Sequence, residues 1–310
     1  MSTKTIKLSA KKKRRKLGRS WDLYILLLPA LILLFIFSYG PMYGVLIAFK
    51  NYSVTKGIWG STWVGLDNFT RFINSHNFSV LIRNTLTLSV YSLVAGFPLP
   101  IILALLVNRL RFARYKSFVQ TISYAPYFIS TVVLVGMLRI FFFPETGLVN
   151  NIMVALGGPD IDFFGSAPAF KHLYVLSGIW QTMGWGSIIY IAALSNIDPS
   201  LYESARCDGA NQLHLLFHID IPSILPTAIT LLILNAGSLM SVGYEKAFLM
   251  QTPLNTGASE IISTYVYKVG LRDAQYSFST AVNVFNSIIN CVLLIVVNRI
   301  ARSTGETSLW

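Results

Sequence analysis

Residues 202–226 read YESARCDGANQLHLLFHIDIPSILP, a polar break in an otherwise apolar chain. What flanks this stretch decides the fold. Of the 310 residues, 54% are hydrophobic and 12% charged, against roughly 25% charged in soluble domains. The apolar residues fall in blocks long enough to cross a bilayer, for which about 20 are needed. Working outward, the predicted spans are 224–249 and 277–300 on the C-terminal side, and 172–194, 118–141, 84–107 and 23–47 on the N-terminal side. Pro41 and Gly44 interrupt the first of these. Lipid offers no hydrogen bonds to the backbone, so runs of this length are helices. The expectation is an all-α membrane protein with six transmembrane helices.

Positive charge sets the orientation. Lys11–Arg19 reads KKKRRKLGR, Arg109, Arg111, Arg114 and Lys116 follow the second span, and Arg299 and Arg302 follow the last. By the positive-inside rule these segments are cytoplasmic. Both termini and the 202–226 stretch then lie inside. The expected organisation is a basic cytoplasmic segment 1–22, a six-helix body 23–300 with an inner loop at about 195–222, and a cytoplasmic tail 301–310. Loops 50–78, 142–171 and 251–276 face outward, with Tyr39, Tyr43, Trp59, Trp63 and Tyr265 near the outer interface. A Lys/Arg run is also the outline of a nucleic-acid patch, and followed by an apolar stretch it outlines a secretory signal. Here the apolar stretch is long and no small-x-small cleavage site follows. It reads as a retained span anchored against anionic lipid, with no nucleic-acid partner.

Catalytic motifs are missing. The chain has no G-x-x-x-x-G-K-[ST] phosphate loop, no G-x-S-x-G elbow and no carboxylate pair placed within a span. A transport or scaffold role is therefore expected rather than an enzyme. Cys207 and Cys291 are lone thiols on separate elements. His214 and His218 share a helix face, but HLLFH lacks the glutamate of H-E-x-x-H and a third ligand, so no metal site is expected.

The polar stretch has internal order. Ser200 with Glu203 three residues on forms the pattern of a capping box. Gly209 breaks the helix that follows, and Asn211 caps a second short one. Leu213, Leu216 and Phe217 fall on one face of that second helix, and Pro222 and Pro226 stop it and start the next span. Two short helices joined at a glycine bend make a docking surface rather than a linker.

The residues at this point resemble a known family. E-S-A-R-C-D-G-A at 203–210, followed nine residues after the glycine by I-D-I-P, looks like the EAA loop of ABC-importer permeases, E-A-A-x-x-x-G-(x)9-I-x-L-P. Glu203, Ala205, Gly209, Ile219 and Pro222 match, with Ser204 standing for the second alanine and Ile221 for leucine. WVGLDNFTRF at 63–72 and ISYAPYFIS at 122–130 are similar to sugar-importer permeases of the maltose and oligosaccharide type. The resemblance implies a type I ABC-importer permease fold in a bacterial plasma membrane, crossed several times. It further implies a second, different permease subunit, two ATPase subunits that use ATP and Mg, and an extracytoplasmic solute-binding protein, with no cofactor bound by this chain. In the loop it implies that Glu203 caps and salt-links at an ATPase groove and that Ala205 allows close approach. Gly209, between Asp208 and Ala210, supplies the bend, while Leu216 and Phe217 fill the apolar contact.

The solute path is read from residue type. Aromatic faces stack on sugar C–H groups while amides and carboxylates fix hydroxyls. Tyr124 and Tyr127 in the third span, Trp180, Gln181, Trp185 and Tyr190 in the fourth, and Asn235 and Ser238 in the fifth are the candidates. Glu245, about 35 Å along a helix begun near Pro222, is placed at the outer mouth. Gly178, Gly184 and Gly186 equally suit tight helix packing. An amino-acid or peptide permease remains an alternative to a sugar permease. An ion-coupled carrier would need intramembrane charges or broken repeats, and a non-transport scaffold would leave the inner loop without a purpose.

Overall fold

The computed structural model describes residues 21–303. The basic run at Lys11–Arg19 and the tail beyond Ser303 lie outside the described residues. The first span begins as α1 (Trp21–Leu34) and continues through a π-helical turn at Phe35–Tyr39, a single turn at Gly40–Met42 and a 3-10 stretch at Tyr43–Phe49. Pro41 and Gly44 fall where the α-helix gives way, the first because it lacks an N–H and clashes with the preceding turn, the second because its backbone freedom disfavours helix. A two-stranded antiparallel ladder follows, β1 (Lys50–Asn51) against β2 (Thr62–Trp63), with Lys50 opposite Trp63. A short helix, α2 (Asp67–Ile73), leads into α3 (Asn77–Gly96) and α4 (Pro98–Arg109), which together make one apolar run of 33 residues. The backbone is helical through Phe97, so Pro98, which has no N–H to give its i−4 carbonyl, marks the division between α3 and α4 within one helical run.

The third span differs most from its sequence expectation. α5 (Ala113–Tyr124), extended by a 3-10 turn to Phe128, meets α6 (Thr131–Phe141) at 98°. Pro126 lies in the turn and Ser130 caps α6, its hydroxyl accepting from the Val133 N–H. The carbonyl of Ile129, freed by the break, accepts from the Gln181 side chain at 2.8 Å. A broken helix at membrane depth requires such a replacement partner. After α7 (Leu148–Ala155) comes α8 (Ala167–Ser195), 29 residues long and central to the bundle, where it packs on α3, α4 and α5.

Membrane-crossing helices are fewer by apolarity than the six expected. Among the described residues, four are long and apolar enough, or five if the bent pair counts as one span. The expected 172–194 span exists as α8, but Gln181, Thr182 and several serines and glycines dilute its apolarity.

The fifth span is also corrected. α9 (Pro199–Cys207) precedes α10 (Gln212–Leu215), which runs through a π-helical turn at Leu216–Asp220 into α11 (Ile221–Gly237). Gln212–Gly237 is therefore one helix, starting twelve positions before the expected 224, and Pro222 and Pro226 lie within it rather than dividing it. The chain then turns back through 238–243 before α12 (Tyr244–Met250). Asn290 accepts from the Met240 N–H at 2.8 Å and donates to the Ser241 hydroxyl, while Asn286 donates to the Met240 carbonyl. Both amides sit on α14 (Tyr276–Ser303), reached after α13 (Ile262–Tyr267).

Among the described residues, three apolar cores hold the bundle. One joins α3, α6, α8 and α12 around Leu88, Leu134, Phe170 and Met250. A second gathers Phe72, Leu81, Met240, Ile262 and Phe278, with Phe72 edge-on to Phe78 and Phe285. The third joins α4, α8 and α11 at Ala104, Tyr190, Leu194 and Ile224.

Candidate functional site

Two regions carry the candidate residues, the loop 198–222 and a cavity between α3, α8, α11 and α12. In the loop, Asp198 rather than Ser200 caps α9, its carboxylate accepting from the Ser200 N–H at 2.9 Å. That bond, with a second from the Ser200 hydroxyl, holds the Asp198 carboxyl below the usual carboxylate range. The expected Ser200–Glu203 capping box is thus replaced by a cap two residues earlier, placing Pro199 at the first helical position. Gly209 ends the helix at φ +80°, with open space where a Cβ would lie. Its requirement is the left-handed backbone alone. Asn211 caps α10 as expected, accepting from the His214 N–H at 2.9 Å. The rings of His214 and His218 lie 6.0 Å apart on one face.

One group in this loop escaped the sequence reading. Asp220 is fully buried, paired with the guanidinium of Arg109, and accepts from the Tyr202 hydroxyl at 2.5 Å. Arg109 also donates to the Gln212 side chain at 2.5 Å. Four residues thereby tie the end of α4 to α9 and to both ends of the α10–π-turn segment. Burial, together with the hydrogen bond to Asp220 and its negative charge, pushes the Tyr202 hydroxyl up to about 12. The available signal was a lone aspartate between two isoleucines in an apolar run, with an arginine at the end of a span.

The rest of the loop faces outward. Glu203, Ser204, Asp208 and Pro222 are exposed, and Ala205, Ala210, Leu216 and Ile219 are half-buried. Leu201, Leu213 and Phe217 are more than half exposed, at 52%, 63% and 59%. Leu215 is the residue that packs inward from α10, at 1% exposure.

The cavity has a volume of about 810 Å³. It brings together Tyr127, Gln181, Trp185, Tyr190, Asn235, Ser238 and Glu245 from the sequence-derived set. Tyr124 and Trp180 do not line it, and Trp180 is 44% exposed. Tyr127 and Trp185 stack at 4.6 Å and 4°, forming one aromatic wall. Gln181 is engaged with the Ile129 carbonyl at the bend of the third span. Glu245 reaches the cavity on the short returning helix α12, not on a continuation of α11 as the distance along the chain suggested. Lys246, also in the lining, was passed over because the expected fifth span absorbed it.

A multi-spanning helical bundle with a broken span, a capped loop at one end and a polar-aromatic cavity within defines a membrane permease. Residues 96–305 match the family described as binding-protein-dependent transport system inner membrane component, and the chain belongs to it. It is 41% identical over 295 residues to the polygalacturonan/rhamnogalacturonan transport system permease protein YteP of Bacillus subtilis (strain 168), covering 95% of this chain and 92% of that one. It is 42% identical over 294 residues to protein LplB of the same organism, with the same coverage of 95% and 92%. The bacterial alginate ABC transporter, solved in complex with an alginate pentasaccharide-bound periplasmic protein, contains a chain that superposes with a TM-score of 0.86 at 38% identity. That match covers 95% of this chain and 99% of the solved one. The type I importer permease fold and its inner-membrane location follow.

Proposed function

We propose that this chain forms half of the translocation path of an ATP-driven importer for an oligosaccharide. An extracytoplasmic binding protein delivers the sugar, and a second permease subunit completes the path. The loop at 198–222 docks on a separate ATPase, which binds and hydrolyses ATP with Mg. The similarity over 95% of the chain to a permease named for polygalacturonan and rhamnogalacturonan transport carries the substrate class. The exposed Leu201, Leu213 and Phe217, beside Glu203 and a glycine turn, support the docking role. In this reading the loop, and both termini with it, face the cytoplasm. Tyr127, Trp185, Asn235 and Ser238 offer ring faces, an amide and a hydroxyl to a passing sugar. Gln181 holds the bend that shapes the cavity.

Proteoliposomes containing the chain with its partner permease, ATPase and binding protein test this. Gly209→Pro, which cannot adopt the φ of +80°, and Glu203→Lys are expected to assemble in the membrane. Each should lose most sugar-stimulated ATPase activity and uptake. Uptake that persists without any ATPase, or with both variants unimpaired, rejects the docking role.

A further inference from the structure

The first helix of the docking loop has no apolar anchor. No residue of α9 is buried, and Leu215 is the one buried residue of α10. A helix of nine residues is too short to be stable alone in water. The contact that reaches from α9 into the buried interior is polar. It runs from the Tyr202 hydroxyl to Asp220, and through Asp220 to the guanidinium of Arg109 at the end of α4. Arg109 holds α10 as well, through the Gln212 side chain.

A charge pair at this place is informative. Burying a carboxylate is costly, and well-packed apolar residues would join the same helices without that cost. An ion pair with further hydrogen bonds is directional, so it fixes which atom of α9 meets which atom of α4. Arg109 serves two partners at once because its donors are set in a rigid fork. The elements joined are also cavity walls. α4 contributes Pro100 to the lining, and α11 contributes Leu231 and Asn235. Along the way from the cluster to the cavity, Ala104 of α4 and Ile224 and Ala228 of α11 share one apolar core.

We infer that Asp220, Arg109 and Tyr202 are positioning residues for energy coupling. They fasten α9 to α4 and α11 together, so that a displacement of the loop reaches two walls of the cavity at once. The inference rests on the importer reading above and adds the residues through which the loop grips the spans.

The test uses the complete transporter in proteoliposomes, with its binding protein and labelled trigalacturonate, a fragment of the polygalacturonan for which the relative YteP is named. Two quantities are read, the ATPase retained per permease after purification and the sugar imported per ATP hydrolysed. Tyr202→Phe removes one hydroxyl and leaves the ion pair in place. It is expected to retain the ATPase as wild type does. Its sugar per ATP should fall by about tenfold, the shift that one hydrogen bond to a charged group is worth. Arg109→Met/Asp220→Leu removes both charges together with the ties to Tyr202 and Gln212, and is expected to fall as far although its charge balance is restored. A pair that only stabilised the fold would give back transport along with the melting temperature. Arg109→Lys, which keeps the charge but loses the fork, should lie between. Wild-type sugar per ATP in Tyr202→Phe overturns the inference. Loss of the ATPase from that variant also overturns it, since the cluster would then shape the docking surface instead. Absence of ATP-dependent import in wild type removes the importer reading beneath it.

Discussion

Asp220 has no solvent exposure and Arg109 is about a quarter exposed, at 26%. Removing one member of such a pair leaves a buried charge uncompensated, which costs about 3–5 kcal/mol, whereas replacing both with apolar groups is often neutral. Arg109→Met is therefore expected to lower the thermal stability of the detergent-solubilised protein markedly. The double change Arg109→Met/Asp220→Leu should recover most of the loss, read by tryptophan fluorescence on heating. Equal losses in the single and double variants would mean that the Tyr202 and Gln212 contacts, not charge balance, hold the cluster. The outcome bears on the loop, since Tyr202 and Gln212 belong to its two short helices and are held through these same two residues.

At the scale of elements, the crossing of α5 and α8 depends on Gly184. A Cβ there would fall 1.9 Å from the Ser123 carbonyl oxygen, a backbone atom that cannot swing aside. Gly184→Ala is expected to force the helices apart at a cost of about 1–3 kcal/mol. Lower yield of folded protein in size-exclusion chromatography and a lower melting temperature would register this; an unchanged Tm would show that the bend absorbs the strain. How much of each element was legible follows from where its determinants lie. Run length and lipid chemistry located the helices, and Gly209 and Asn211 act as local residue preferences dictate. The end of the fifth span was misplaced because Asn286 and Asn290 hold the 238–243 turn from a helix some fifty positions away. The 98° break at Pro126–Ser130 had local signals, Pro126 and the Ser130 cap, but its supporting amide comes from Gln181. In the site, residue type found the aromatic wall and the loop motif. It missed Asp220 and Lys246, whose meaning lies in burial and partners rather than in spacing.

At the scale of the whole molecule, the first span stands apart. None of its apolar window between Leu23 and Phe49 is buried, and Leu26 and Phe37 are 77% and 71% exposed. Its surface is suited to lipid or another subunit rather than to water. Orientation across the bilayer is open to direct measurement through Cys207, which is exposed in the loop. In intact cells a membrane-impermeant maleimide is expected to leave Cys207 unmodified and to label it once the membrane is permeabilised. Added ATPase should then protect it. Labelling in intact cells would invert the topology.

The continuous helical run from Gln212 to Gly237 has a mechanical consequence. Its first turn belongs to the loop and its last turn carries Asn235 into the cavity wall. Twenty-six residues at 1.5 Å each make a lever about 39 Å long. Tilting it by about ten degrees about one end carries the other through roughly 7 Å by the same geometry. A small stroke at the loop is therefore carried along the helix, past the π-helical turn at Leu216–Asp220 and past Pro222 and Pro226, to the cavity wall at Asn235, and the 238–243 turn, pinned by two asparagines, is what that end of the helix works against.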